Sequence, residues 1–474
     1  MQYQGLRRTI ALGAFVALAM GACSPTATAP SPTTAASVPA ASAPAASAPA
    51  AASEPASAAA PSATAAANAC GDAPITLNVW GGYPEMDAVY KKAGEAYTAL
   101  HPNVTFTIFS TDLRGYEQKL TTALPSNTAG DVVIRTANFL ARFIDQGLLA
   151  PIPDDLLASI KSPTYKDITI QDASYNGKIV GVPEFISGTA LYYNKDMFAA
   201  AGIANPPTTM DELWADAKKL AVVDASGNVT RSGHSFRLSG QGSGVAEKFG
   251  ILLLQYGHEL LKETSPGHYA ADYNGPDGAK LFQIYVDSLR DKIDSPNIDH
   301  DAKAFETKAT AMFAREPWVV ADIAANAPDL VGHYGTISLP AGEWTSTETM
   351  FVPASAANPA CSWDFIKFLT DQEQQLTIPP IAGWLPARAD LDLTAFLAAN
   401  PGYEGFLKKP DAMKFVLTPP IPEFDELETK LATHLVDGYA DYANLAGHPD
   451  KIQALLNTWA DETNQILATN GHGS

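Results

Sequence analysis

The chain has 474 residues, 46% of them hydrophobic, and sets 31 lysines and arginines against 51 aspartates and glutamates for a formal net charge of −20. So acidic a balance excludes recognition of nucleic acid and electrostatic adhesion to a membrane surface, since both require basic patches. The length allows about three domains, and the three cysteines lack the CxxC spacing of a zinc module.

The N-terminus reads as a targeting device. Arg7 and Arg8 form a basic region, residues 9–20 are apolar but too few to span a bilayer, and Gly21 and Ala22 stand directly before Cys23. The run Leu18-Ala19-Met20-Gly21-Ala22-Cys23 resembles the lipobox of bacterial lipoproteins. That resemblance implies a signal peptide over residues 1–22 and a diacylated Cys23, and two acyl chains suffice for stable anchoring. An ordinary secretory signal with an incidental cysteine is the bland alternative, and the paired arginines leave the Sec and twin-arginine routes both open. Residues 24–68 are almost entirely Ala, Pro, Ser and Thr, with one charge at Glu54. Having nothing large to bury, residues 23–72 are expected to form a disordered tether, or else a glycosylated stalk. Once Cys23 is acylated, Cys70 and Cys361 remain. In an oxidising compartment such a pair permits one disulfide, with two unpaired thiols as the alternative.

Beyond the tether, residues 75–80 alternate as a strand, Gly81 and Gly82 break it, and residues 85–100 carry apolar side chains at helical spacing. Strands follow at 104–109 and 131–134, with a helix at 116–124 between them. Alternation of this kind predicts a mostly parallel sheet covered on both faces. Residues 178–182 and 189–193 are short β-favouring runs separated by Pro183, Ser187 and Gly188, which read as a reversal between two strands. Residues 196–201 are helical in composition, and Gly202 stops them. Pro206 and Pro207 then force an extended path before Thr209, whose spacing to Glu212 is that of a capping box ahead of the apolar face Leu213, Ala217 and Leu220. Further helices are predicted at 245–256, 276–291, 363–370, 424–442 and 451–467. No period of 20 to 50 residues recurs, which excludes a solenoid.

The ordered series "GDVVI", "FIDQGLLAPI", "NGKIVGVP", "LYYNKDMF", "AGI…PPTTMDELWADAKKL", "AMFAREPW", "SLPAG", "SWDFIKFLTDQEQQ" and "GWLPAR" resembles the extracellular solute-binding proteins of family 1. These are the sugar-binding receptors of ABC importers, maltose-binding protein among them, and the likeness runs from about Ile75 to the C-terminus. It implies an α/β architecture, the two-lobed periplasmic-binding-protein fold of type II. The N-terminal lobe would be residues 73–187 and 345–387 and the C-terminal lobe residues 188–344 and 388–470. Hinge crossings are expected near 185–188, 344–350 and 387–389. The implied partners are a carbohydrate held between the lobes and the transmembrane subunits of an ABC permease. The protein is expected to be a monomer, with a lipid anchor as its sole membrane attachment and neither cofactor nor metal.

A sugar presents hydroxyl edges and apolar C–H faces, so its site needs planar hydrogen-bonding groups and aromatic rings. The loops expected at the cleft supply Trp80, Gly82 and Tyr83 after the first strand, Asp112 after the second, and Arg135 and Asn138 after "GDVVI". Glu184 and Phe185 lie on the crossing, with Trp318, Trp344 and Trp384 in later loops. Each has a competing role. Strand alternation would turn Trp80 into the core, and Asp112 is in place to cap a helix. Arg135 departs from the aromatic or carboxylate that such receptors often show there. With Arg237 and Lys248 it raises an acidic sugar as an alternative to a neutral oligosaccharide. A secreted glycosidase would share the substrate, but no HExxH, GxSxG or phosphate-loop ending occurs, "SGQGSG" at residues 239–244 included. That stretch reads as a mobile loop, and no acid pair stands out.

Overall fold

The computed structural model describes residues 68–238, 242–299 and 301–474. The signal peptide, Cys23, most of the tether and residues 239–241 of the glycine-rich loop lie outside the described residues.

The first lobe is built on β1 (Ile75–Gly81), α1 (Asp87–Leu100), β2 (Val104–Ser110), α2 (Leu113–Ala123), β3 (Val132–Arg135), α3 (Ala137–Asp145) and β4 (Val182–Ile186). Ile75, Leu77 and Val79 of β1 are buried at alternate positions, as a strand covered by helices requires. Val89, Tyr90, Ala93 and Tyr97 carry the buried face of α1 onto the same core. From β4 the chain passes at Ser187–Thr189 into the second lobe. There it forms β5 (Ala190–Asn194), α4 (Met210–Leu220), α5 (Gly244–Leu254), α6 (Pro276–Arg290), β6 (Met312–Arg315), α7 (Trp318–Asn326), β7 (Tyr334–Ser338) and β8 (Gly342–Trp344). It returns through Thr345 and Ser346 to β9 (Thr347–Phe351), α8 (Pro359–Leu369), α9 (Ile378–Ala382) and β10 (Leu385–Pro386). Lastly β11 (Lys414–Val416), α10 (Phe424–Ala440) and α11 (Pro449–Thr469) complete the second lobe. The capping box on α4 is complete, with the Thr209 side chain accepting from the Glu212 amide and Glu212 reaching back.

The large sheet of the first lobe has the order β10-β4-β9-β3-β1-β2. Its β3-β1-β2 part is parallel, whereas β9 and β10 run antiparallel to their neighbours. The sheet is therefore mixed and not mostly parallel. A strand re-entering from the other lobe starts at the edge where its neighbours end, so it must run against them. Pro183 also lies inside β4 instead of breaking it. It pairs with Thr349 at a register irregularity of β9, the kind of place where a sheet tolerates proline. Lys178–Ile179 instead pairs with Ser174–Tyr175 in a separate two-stranded unit. The second lobe has a smaller sheet, β6-β5-β7, and a helical core in which α5 is buried almost all round.

Two crossings lie side by side and are bonded to each other. The Ser187 amide donates to the Ser346 carbonyl at 2.8 Å, and the Thr345 hydroxyl donates to the Ser187 carbonyl at 2.8 Å. The chain crosses a third time after β10. Ala387 and Ala389 still donate to Glu184 and Thr164 of the first lobe, and the chain joins the second lobe's packing at Phe396, Tyr403 and Phe406. Cys70 and Cys361, with Cα atoms 4.5 Å apart, form a disulfide that fastens the start of the first lobe to α8.

Candidate binding cleft

A cavity of about 1000 Å³ opens between the lobes. Its first-lobe wall is the end of the sheet where β1 and β3 finish, together with the first turns of α2 and α3. Its second-lobe wall comes from the first turn of α5, the segment between β6 and α7, Trp344 at the end of β8, and residues 421–430 at the start of α10. Loops at strand ends and exposed helix starts are where open α/β sheets hold ligands.

Of the residues picked from sequence, Gly82, Tyr83, Asp112, Arg135, Asn138, Trp318, Trp344 and Trp384 line this cavity. Gly82 is there because α2 leaves no room: a Cβ would stand 2.9 Å from both Leu113 and Tyr116. Asp112 caps α2, accepting from the Gly115 amide at 3.0 Å. Trp318 and Trp344 are half-buried on the second-lobe side. The Trp318 indole N–H is held by Glu316 at 3.3 Å and its ring lies under the Arg315 guanidinium at 5.3 Å, while Trp344 donates to the Thr418 hydroxyl at 3.2 Å. Trp384 is 5% exposed. It packs edge-on against Tyr83, is tilted against Phe185, and donates to Glu85 at 3.0 Å.

Three residues are placed elsewhere. Trp80 packs on Phe109 with the Lys119 ammonium 4.6 Å from its ring, on the sheet face that α2 and α3 cover. Alternation along β1 sends it there. Glu184 and Phe185 are buried in β4, beneath the cleft instead of in it. Phe185 supports the rings of Tyr83 and Trp384. Glu184 accepts from the Tyr90 hydroxyl at 3.1 Å, and burial pushes its carboxyl up to about 8 despite that bond.

Arg135 lines the cleft but is held by its own lobe. Its Nε and Nη2 donate to Glu117 at 3.0 and 2.6 Å, and its Nη1 donates to Glu348 at 3.0 Å and to the Thr136 hydroxyl at 3.1 Å. Burial works against its charge, but Glu348, Tyr83 and Glu117 more than offset that, and its pKa lies above the usual value. The Tyr83 hydroxyl donates to the same Glu348. Two carboxylates thus share one guanidinium, a charge-assisted network that fixes the floor of the cleft.

On the opposite wall Glu316 is surrounded by cations. Burial raises the cost of its charge, yet Arg315, Lys248 and Arg237 hold its carboxyl far below the usual range. Lys248 donates to Glu316 and, at 3.2 Å, to Glu247. Sequence reading missed Glu348, Arg315 and Glu316. Each has a signal: Glu348 is the lone charge in "TSTETM" at the return crossing, and Arg315 and Glu316 stand immediately before Pro317 and Trp318. Among the described residues no group of three or more His, Cys, Asp or Glu side chains is placed to hold a metal ion. No described helix is long and apolar enough to cross a membrane.

Two α/β lobes joined by paired crossings, with a polar and aromatic cleft between them, define a solute-binding clamp. The chain belongs to the bacterial extracellular solute-binding protein family, whose pattern it matches over residues 92–405, and this is a family of binding proteins and not of enzymes. It is 24% identical to a putative binding protein of Brucella abortus over 350 residues, which cover 71% of this chain and 81% of that one. It is 25% identical to the diacetylchitobiose-binding protein DasA of Streptomyces coelicolor over 379 residues, covering 76% and 84% respectively. An ABC transporter solute-binding protein of Thermotoga lettingae, solved with α-D-tagatose, superposes with a TM-score of 0.70 at 22% identity, over 83% of this chain and 99% of that one.

Proposed function

We propose that this protein is the extracytoplasmic receptor of an ABC importer, that it takes a neutral oligosaccharide between its lobes, and that Cys23 anchors it to the membrane by lipid. The reading rests on one observation above others: both walls of the cleft offer aromatic rings beside side chains already fixed by hydrogen bonds. Tyr83, backed by the buried Trp384, stands on the first lobe, and Trp318 and Trp344 on the second. Rings suit the C–H faces of sugars and fixed polar groups suit their hydroxyls. The cavity is at the upper end of the size range of small-molecule sites, which favours an oligosaccharide over a single ring. The relative named for diacetylchitobiose points the same way, and the structural neighbour solved with tagatose supports a sugar without favouring an oligosaccharide. An acidic sugar is disfavoured because the Arg135 charge is already engaged by Glu117 and Glu348.

The closed, loaded receptor is then what a permease recognises. A thermal-shift screen of neutral and acidic di- and trisaccharides, N,N′-diacetylchitobiose among them, tests the reading. Neutral oligosaccharides should raise the melting temperature in a saturable way. A library that leaves it unmoved would remove the carbohydrate assignment, and a response confined to acidic sugars would reverse the charge argument.

A further inference from the structure

We infer that Arg114 is a strap across the cleft, a residue of the first lobe that draws the second lobe shut through bonds the protein makes to itself. The inference rests on the clamp reading and concerns how that clamp is set, whatever solute it carries.

Arg114 stands in the first turn of α2. Its Nη1 donates within its own lobe to Glu117 at 2.7 Å and across the cleft to Asp425 at 3.0 Å, and its Nη2 donates to the Ser243 hydroxyl. Ser243 immediately precedes α5 and Asp425 lies in the first turn of α10, so one guanidinium ties the first lobe to two separate helices of the second. The backbone is shaped to admit it: a Cβ on Gly242 would come within 3.3 Å of the Arg114 Nε. The receiving rim is acidic. Glu428, on α10, faces Glu247 of α5 as well as Asp425, and burial together with those two carboxylates pushes its carboxyl up to about 8, although Ser243 and Arg114 act the other way. When the lobes meet, Arg114 adds a cation to this rim beside the Lys248 ammonium that already serves Glu247. Glu117 keeps the guanidinium aimed meanwhile, because it also binds Arg135 and is itself buried.

A bond that exists only in the closed form shifts the open–closed equilibrium by its own free energy. Partial exposure limits the size of the effect, and added salt should weaken it. The test uses the full chain with no sugar added and compares Arg114→Gln, Asp425→Asn and the double variant with the parent by hydrogen–deuterium exchange. The readout is protection of residues 113–123, 244–254 and 424–432. Each single variant should accelerate exchange at these lobe-facing segments by about three- to tenfold, leave the cores at residues 75–81 and 281–289 unchanged, and abolish the salt sensitivity of the parent. The double variant should be no faster than Arg114→Gln alone, because that change already breaks the bond to Asp425. Unchanged protection in the single variants, or effects that simply add, would overturn the strap. Since no ligand enters the experiment, a wrong sugar assignment would leave its result intact.

Discussion

Replacing Arg135 by alanine would leave Glu117 and Glu348 facing each other in a buried site with their shared cation gone. Removing one partner of a buried ion network typically costs about 3–5 kcal/mol. The Arg135→Ala variant should therefore lose stability on that scale in denaturant titrations, because the side chain acts on the cleft by holding Glu348 and, through it, the Tyr83 hydroxyl. Trp318 is the opposite case. It is half-buried, lines the cavity and is held edge-on by Glu316, so Trp318→Ala should weaken sugar binding by about 1–3 kcal/mol in calorimetry with a smaller change in melting. Residue type in a loop was enough to pick Trp318 and Trp384 together. Only packing separates them, because Trp384 is buried between Tyr83 and Phe185 while Trp318 stands half-exposed against Arg315 at the wall.

At the scale of elements, β4 and the crossing it feeds concentrate buried acids. Burial raises Glu184 to about 8. It also raises Asp172, which accepts from the Thr347 amide where β9 begins, to about 7 in spite of that bond. In the unfolded chain both would release their protons near the ordinary carboxylate values. Across the window from about pH 4 to about pH 8 the unfolded state therefore binds fewer protons, and stability falls as pH rises through it. The contribution is complete below the unfolded values and lost above the folded ones. Glu316 shifts the other way, but its window lies at lower pH. The melting temperature should decline from pH 5 to pH 8, and Glu184→Gln should flatten that decline. A parent curve that rises over the same range would contradict the assignment of these groups. Local sequence placed Glu184 on the crossing but revealed neither its burial nor that of Asp172, because both depend on strands and a second crossing that come from elsewhere in the chain.

For the whole molecule, paired crossings between two lobes are the arrangement in which hinge closure around a solute is found. A solute stabilises the closed arrangement only through groups it touches on both sides, so the melting response should be set by affinity. At one hundred times the dissociation constant it should amount to about 2.7 kcal/mol. The sequence by itself determined what depends on short spans of chain: the alternation of β1, the capping box on α4, the punctuation by Gly202 and Pro206, and an ordered set of motifs sufficient to identify the family. Tertiary structure alone decided that the main sheet is mixed, that Trp80 turns away from the cleft, that Arg135 is held by two carboxylates, and that Arg114 reaches Asp425 over 311 positions of chain. The physical reason is range. Periodicity and capping act within one or two turns, whereas charge pairing and ring packing depend on which distant strands the fold sets side by side.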